Sequence, residues 1–384
     1  MGINVPFHKP HITDAEIEAV ADVMRSGWLT MGPKTVEFEE SFRARTGASQ
    51  AVAVSSATAA LHLALVASGV GEGDEVIVPA MTFAASAEVV LYRGATVVMA
   101  DIERDTHLLD AECIAEKIGP RTRAVMPVHY GGMPCDMDPI MDLARRNGLV
   151  VIEDAAHSLP ARYRGREVGT IGDLTCFSFY ATKTLAAGEG GMITTENADW
   201  AERLRSLRLH GIGRDAWKRY SSEGSWAYDV LETGYKYNMT DIAAAIGMEQ
   251  LRKLDWMNER RADIAAMYDA AFSGNEAFIP YGGRADRSSA RHLYPLRLNL
   301  EALSIDRARF ISELKERGIG ASVHFIPLYR FTQYAGMGFN AADYPSCEWV
   351  FEREVSLPIY PGMGMTEINS VIEGVLDVAG SFGR

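Results

Sequence analysis

At 384 residues, 47% apolar and 23% charged, the chain has the size and composition of a soluble enzyme of two domains. A net charge of -13 excludes a basic nucleic-acid surface, though not a local pocket for a small anion. No apolar run approaches the roughly 20 residues that a membrane span needs, so no membrane or nucleic-acid partner is expected. Cys113, Cys135, Cys176 and Cys347 lack C-x-x-C spacing. That pattern argues against bound metal or a disulfide framework and fits a reducing cytoplasm. Residues 1–10 show no secretory pattern.

Thr13-Asp14-Ala15-Glu16 carries a capping-box signature, and Ile17, Val20, Val23 and Met24 follow at helical spacing. The helix should end at Ser26-Gly27. Trp28 to Pro33 then reads as a loop, in which Trp28 and Met31 either pack on the domain or meet a ligand. From Gln50 to Thr195 short apolar runs alternate with helical stretches. Strands are expected at 51–54, 75–78, 96–100, 123–128, 149–152 and 174–179, with helices at 58–68, 84–92 and 136–146. Such alternation indicates a mostly parallel sheet covered on both faces.

Arg203 to Tyr237 has no assignable pattern, and Thr240 to Phe272 reads as one long helix or a pair. An α/β pattern then restarts, with strands at 293–298, 321–325 and 355–357. Helices are expected at 306–317, near Cys347 and from Thr366. The division expected is a large domain over 1–255 and a smaller one over 256–384.

In parallel sheets ligands sit outside the strand carboxyl ends. Here those ends are followed by Ser55-Ser56-Ala57-Thr58, by Thr82-Phe83, by His129-Tyr130-Gly131-Gly132, by Asp154-Ala155-Ala156-His157, and by Ser178 and Lys183. Ser55 to Thr58 at a helix start supplies N–H groups and hydroxyls suited to phosphate. The glycines at 69, 71 and 73 do not make G-x-G-x-x-G, and no P-loop is present. Phe83 offers a ring face, with core packing as its ordinary alternative. Asp154 past a buried strand needs a positive partner to stay ionised, unless it caps a helix at Ala155. Lys183 follows apolar and aromatic residues, where a lysine either snorkels or has its charge lowered for chemistry. Phosphate cradle, ring platform, carboxylate and amine together describe a site for pyridoxal 5'-phosphate.

The ordered tracts Ser26 to Pro33, Ser56 to Leu61, Pro79 to Phe83, Glu153 to His157, Phe177 to Lys183, Gly188 to Gly191, Gly234 to Asp241 and Leu357 to Met363 run over nearly the whole chain. On them the sequence resembles the DegT/DnrJ/EryC1/StrS family of nucleotide-sugar aminotransferases. The resemblance implies an α/β architecture of fold type I, like aspartate aminotransferase: a large parallel-sheet domain and a smaller C-terminal α/β domain. It implies that Lys183 holds the cofactor covalently and then moves protons, with pyridoxamine phosphate as the cofactor's amine form. Asp154 would pair with the ring nitrogen, Phe83 would stack on the ring, and His157 would lie beside it. Ala57, Thr58 and Ser178 would hold the phosphate. Asn238 would reach the phosphate of a neighbouring subunit, implying a homodimer with shared sites. Trp28, Thr30 and His324 are candidate sugar contacts, and His324 reads equally as a satisfied histidine at a domain junction.

Lysine rather than histidine at 183 favours transamination over sugar dehydration, with glutamate as the expected donor. Resemblance of the 177–183 and 129–132 tracts points to C4 of a UDP-linked keto sugar, whereas Thr184 also occurs in relatives using GDP sugars. A dTDP-linked or 3-keto sugar, a cyclitol-like ketone and a non-catalytic regulator on the same fold are the alternatives.

Overall fold

The computed structural model describes residues 4–213 and 228–384. The short Val/Ile/Ala runs become seven strands: β1 (Gln50–Val54), β2 (Glu75–Pro79), β3 (Thr96–Ala100), β4 (Thr122–Val125), β5 (Val150–Asp154), β6 (Leu174–Ser178) and β7 (Gly191–Thr195). They form one sheet in the order β1-β7-β6-β5-β4-β2-β3. Only β7 runs antiparallel to its neighbours, so β1 to β6 all point their carboxyl ends to the same edge. Helices cover the sheet, which is why strand residues such as Val52, Val54, Ile77 and Ile152 are fully buried whichever face they point to. The helix Ala57–Ala67 is buried along almost its whole length, consistent with its near-absence of polar residues.

A second core forms around an antiparallel sheet of β8 (Phe278–Ile279), β9 (Tyr294–Leu298) and β10 (Glu354–Leu357). Helices Arg307–Glu316 and Met365–Phe382 pack into that core. Leu254–Phe272 joins the two regions: Leu254 and Met257 belong to a core of the large sheet, Ile264 and Tyr268 to that of the small one. The N-terminal segment also crosses over. Val5 donates to Gly318 O and accepts from Gly320 N, both at 2.8 Å, and its side chain is buried in the second core.

The Thr13 capping box and the helix Asp14–Ser26 form as the spacing indicates. The 240–272 stretch resolves into a pair of helices, Asp241–Arg252 and Leu254–Phe272. Several features differ from the sequence reading, among them the strand β7 and the helix Ala198–Leu207, neither of which was expected. A helix Pro33–Thr46 follows the Trp28 loop where none was expected. Its amino-terminal N–H groups are capped from far along the chain, Asp241 accepting from Gly32 N at 2.8 Å and Thr35 N at 2.9 Å. No local capping residue announces it. Residues 321–325 do not form a strand; Ser322 makes one bridge to Ser356, and the chain then turns His324 onto Glu354 and Ser356. Asp154 ends β5 and caps no helix, because a turn follows it. Of the unassigned 203–237 stretch, residues 214–227 lie outside the described residues. Among the described residues no helix is long and apolar enough to cross a membrane.

Candidate active site

Strand register assembles the first part of the site. Val54 and Ser178 are both opposite Gly191, on the two sides of β7. The turn after β1 therefore lies beside the end of β6. A Cβ on Gly191 would stand 2.6 Å from the Ser56 carbonyl and 2.9 Å from Ala57 N, so only glycine lets the backbones approach this closely. Ser56 caps the helix, its hydroxyl accepting from Ala59 N at 3.0 Å and its carbonyl from Ala60 N at 3.0 Å. The N–H groups of Ala57 and Thr58 have no protein acceptor among the described residues. Two free N–H groups at a helix start, with the Thr58 and Ser178 hydroxyls beside them, make an anion cradle. Asn238 is buried at its rim and bridges Val54 of its own chain, while Ser55 N donates to Tyr237 O at 2.7 Å. Gly191→Ala is expected to cost about 1–3 kcal/mol of stability by overpacking, read as a lower denaturant midpoint, and to weaken phosphate binding.

Asp154 is buried at the end of β5, where Oδ2 accepts from Ser86 Oγ at 2.8 Å and Oδ1 from Ala156 N at 3.2 Å. Burial raises its pKa despite these bonds and the charge of Lys183. The preceding residue, Glu153, is fully buried and pairs with His129 Nε2 at 2.8 Å. It also accepts from Thr175 Oγ1 at 2.5 Å and Gly172 N at 2.8 Å. Burial opposes both charges, but the contacts of each residue override it: Glu153 is lowered and His129 raised, making an ion pair that anchors the strand ends below Asp154.

Lys183 is held in a turn by its N–H bond to Tyr180 O at 2.9 Å, and its charge is felt at both Asp154 and His157. Burial pushes its pKa from 10.5 down to about 8, against a smaller raising effect of Asp154. A depressed lysine pKa means that the nucleophilic neutral amine accumulates at lower pH. Acylation or aldehyde capture at Lys183 in the cofactor-free protein should therefore rise with pH and level off above about 8, whereas an ordinary lysine levels near 10.4. Mass-spectrometric labelling across this range checks the midpoint.

Aromatic and imidazole rings close the remaining sides. Phe83 is 63% exposed, so it is not a core residue. Phe325 connects it to the interior, lying 6.1 Å from Phe83 and stacked 5.7 Å from His157. His157 Nδ1 accepts from Gly131 N at 3.3 Å, leaving Nε2 as the protonated nitrogen of a neutral ring; burial, then Lys183, holds its pKa well below the usual value. His324 is pushed down to about 4 by burial and by Lys183, so it belongs electrostatically to the site. It is also satisfied at the junction of the domains, with Nδ1 2.9 Å from Ser356 Oγ and its N–H bonded to Glu354 at 3.0 Å.

Lys183, Asp154, His157 and His324 are thus brought together, with Phe83 at the mouth, Ala57, Thr58 and Ser178 in the cradle and Asn238 at its rim. Trp28 and Thr30 are not joined to this group within the chain. The Trp28 indole donates to Met31 O at 3.1 Å and covers Gly32, and the Thr30 carbonyl accepts from Asp241 N at 3.1 Å. Sequence reasoning missed Ser86, His8 and His292; the two histidines are lowered by burial and also by Lys183, and His292 lies 4.3 Å from His157 ring to ring. Ser86 carried a weak signal, one helical turn beyond Thr82 at a strand end. The two histidines arrive from the N-terminal segment and from the region beyond residue 255, where no motif marks them.

Comparison with known proteins decides what the assembly belongs to. The family model of the DegT/DnrJ/EryC1/StrS aminotransferases matches residues 10–376. This chain belongs to that family of pyridoxal-phosphate-dependent aminotransferases. It is 50% identical over 372 residues to the uncharacterized protein MJ1066 of Methanocaldococcus jannaschii, covering 97% of this chain and 96% of that one. It is 46% identical over 376 residues to the spore coat polysaccharide biosynthesis protein SpsC of Bacillus subtilis, covering 97% of each. Among solved structures it resembles Spr1654 of Streptococcus pneumoniae, a candidate sugar aminotransferase. The PMP-form gives a TM-score of 0.93 at 37% identity, covering 98% of this chain and 100% of that one. The PLP-form gives 0.92 at 36%, covering 99% of each.

The residues of this family member suit the cofactor chemically. The cradle offers unpaired N–H groups to a phosphate, and Asp154 is a carboxylate that burial makes hungry for a cation or N–H donor. The exposed Phe83 face and the lowered Lys183 amine complete the set.

Proposed function

We propose that the protein transfers an amino group from an amino-acid donor, glutamate, to C4 of a UDP-linked 4-keto-6-deoxy sugar. The observation that carries the transaminase part is the pairing of a pKa-lowered lysine with a buried carboxylate beside an unsaturated phosphate cradle. The family likeness to SpsC, named for polysaccharide biosynthesis, and to Spr1654, named for a sugar substrate, supports the sugar part.

When bound, pyridoxal phosphate supplies an electron sink that lets the C–H bond next to nitrogen release its proton. Ala57 and Thr58 N–H groups, with the Ser178 hydroxyl, bind the phosphate and set the cofactor's depth. Asp154, fixed by Ser86 and Ala156, keeps a proton on the ring nitrogen. Phe83 covers one ring face and excludes water, and His157 orients the ring through Nε2–H. Lys183 takes the proton from the donor carbon as a general base and delivers one to the sugar carbon as a general acid. His324, Trp28 and Thr30 contact the sugar nucleotide. Asn238 reaches the phosphate of a second subunit in a homodimer, which would also place the Trp28 loop at the shared interface. The same reading divides the chain at residue 255 and places the protein in the cytoplasm, where nucleotide sugars are made.

Purified protein incubated with glutamate and a panel of UDP-, dTDP- and GDP-linked 4-keto and 3-keto sugars tests this directly by product mass. A new amine on a UDP-linked 4-keto sugar is expected. Activity on a GDP or dTDP sugar alone would move the nucleotide, and activity on none would remove the sugar assignment.

A further inference from the structure

Strand β10 carries two polar residues two positions apart, Glu354 and Ser356, whose side chains share one face and are buried, at 1% and 0% exposure. The segment at 322–324 runs antiparallel beside them. Ser322 N donates to Ser356 O at 3.1 Å and Ser356 N to Ser322 O at 2.8 Å. That register sets His324 opposite Glu354, but the ladder does not continue. The His324 N–H donates instead to Oε2 of the Glu354 carboxylate, at 3.0 Å. Ser356 Oγ donates to Oε1 of the same carboxylate and lies 2.9 Å from His324 Nδ1. Phe7 stacks on the imidazole with ring centroids 5.4 Å apart, which holds the ring plane. The ring is half-buried, and its Nε2 makes no hydrogen bond among the described residues.

These contacts leave one consistent arrangement of protons. Burial, then Lys183, push the His324 pKa down to about 4, so the ring is neutral and carries a single N–H. Glu354 has no ion pair among the described residues. Burial raises its pKa to about 7, against Ser356, the His324 N–H, Arg307 and Tyr130, which favour its charge. Above that value the carboxylate only accepts. Ser356 has one hydroxyl proton to give. Turning it to His324 would leave Oε1 charged, buried and without a donor, which is costlier than the bond gained. The proton goes to Glu354, Ser356 Oγ accepts, and Nδ1 carries the ring proton. Nε2 is left with a lone pair.

The geometry points to Glu354 and Ser356 as positioning residues that fix the tautomer of His324, so that Nε2 accepts a hydrogen bond from a hydroxyl of the sugar substrate. That the recognised group is a sugar hydroxyl rests on the function proposed above. A fixed lone pair selects a donor: it accepts from an O–H and repels a carbonyl or ether oxygen presented at the same place. An amide at position 354 reverses the arrangement. In Glu354→Gln the His324 N–H takes the amide oxygen, so the amide NH2 faces Ser356 Oγ. The serine proton then turns to Nδ1, and the ring proton moves to Nε2.

Solid-state NMR of the cofactor-loaded protein, isotopically labelled at histidine Nε2, tests this, the His324 signal being the one lost in His324→Gln. At about pH 8.5, above the Glu354 value, wild type should show an unprotonated Nε2 and Glu354→Gln a protonated one. Glu354→Gln should also raise the KM for the UDP-linked 4-keto-6-deoxy sugar by roughly 10- to 100-fold, more than kcat falls. The KM for glutamate should stay within about threefold and the cofactor absorption should not change. A protonated Nε2 in wild type overturns the proposal whatever the variant does. So does an unprotonated Nε2 in Glu354→Gln, or an inverted tautomer that leaves the sugar KM unchanged. Inversion in a protein that aminates none of the sugars supports the tautomer device and removes the sugar reading instead.

Discussion

Lys183→Ala is expected to abolish turnover, by at least about 10³-fold, while leaving the fold intact. Two functions are lost at once. The covalent attachment of the cofactor disappears, and so does the group that moves the proton, which alone contributes about 10²–10⁴-fold. The structure gives a reason for the fold to survive. Lys183 enters its turn through its backbone N–H to Tyr180 O, which alanine keeps, and its ammonium is disfavoured by burial. Loss of the absorption band of lysine-bound cofactor and of single-turnover reactivity with glutamate, with an unchanged far-UV spectrum, is the expected pattern. Retention of the band would place the covalent link at another residue.

Asp154→Asn is expected to lower kcat by roughly 10²–10³-fold, corresponding to about 3–4 kcal/mol for a buried charged contact made to the ring nitrogen. Asparagine can keep a hydrogen bond to Ser86 Oγ and one from Ala156 N, so the strand end keeps its geometry. It cannot hold a proton on a pyridine nitrogen by charge. The cofactor should therefore still load, with its absorption shifted, while proton removal from glutamate slows. An Asp154→Asn enzyme with near wild-type kcat would show that Asp154 serves structure through Ser86, and not the ring.

Much of this fold was legible because its signals are local. The runs that make β1 to β6 are near-continuous and apolar, as strands covered on both faces must be, and the Thr13 box starts a helix by itself. The sheet-edge argument located Asp154, Ser178 and Lys183 because parallel strands carry their carboxyl ends to one side. What was not legible depends on long-range partners. The Pro33–Thr46 helix is capped by Asp241, about 200 residues away in sequence, and local patterns cannot contain that. The 321–325 segment has strand-like residues, but His324 is drawn to Ser356 and Glu354 of β10 and the ladder stops after one bridge. His8 and His292 come from separate stretches, and His8 reaches the surroundings of Lys183 in an N-terminal segment whose Val5 crosses to the second core. Core packing was the ordinary reading for Phe83; it is exposed, and its aromatic neighbour Phe325, 6.1 Å away, is the one that packs against the core.

The most direct test of the account is to treat the purified, cofactor-loaded protein with sodium borohydride and to map its peptides by mass. The account predicts a phosphopyridoxyl mass on the peptide containing Lys183, reduced in yield by prior incubation with glutamate and missing from Lys183→Ala. A modification on a different lysine, or none in protein that shows bound cofactor, would contradict it.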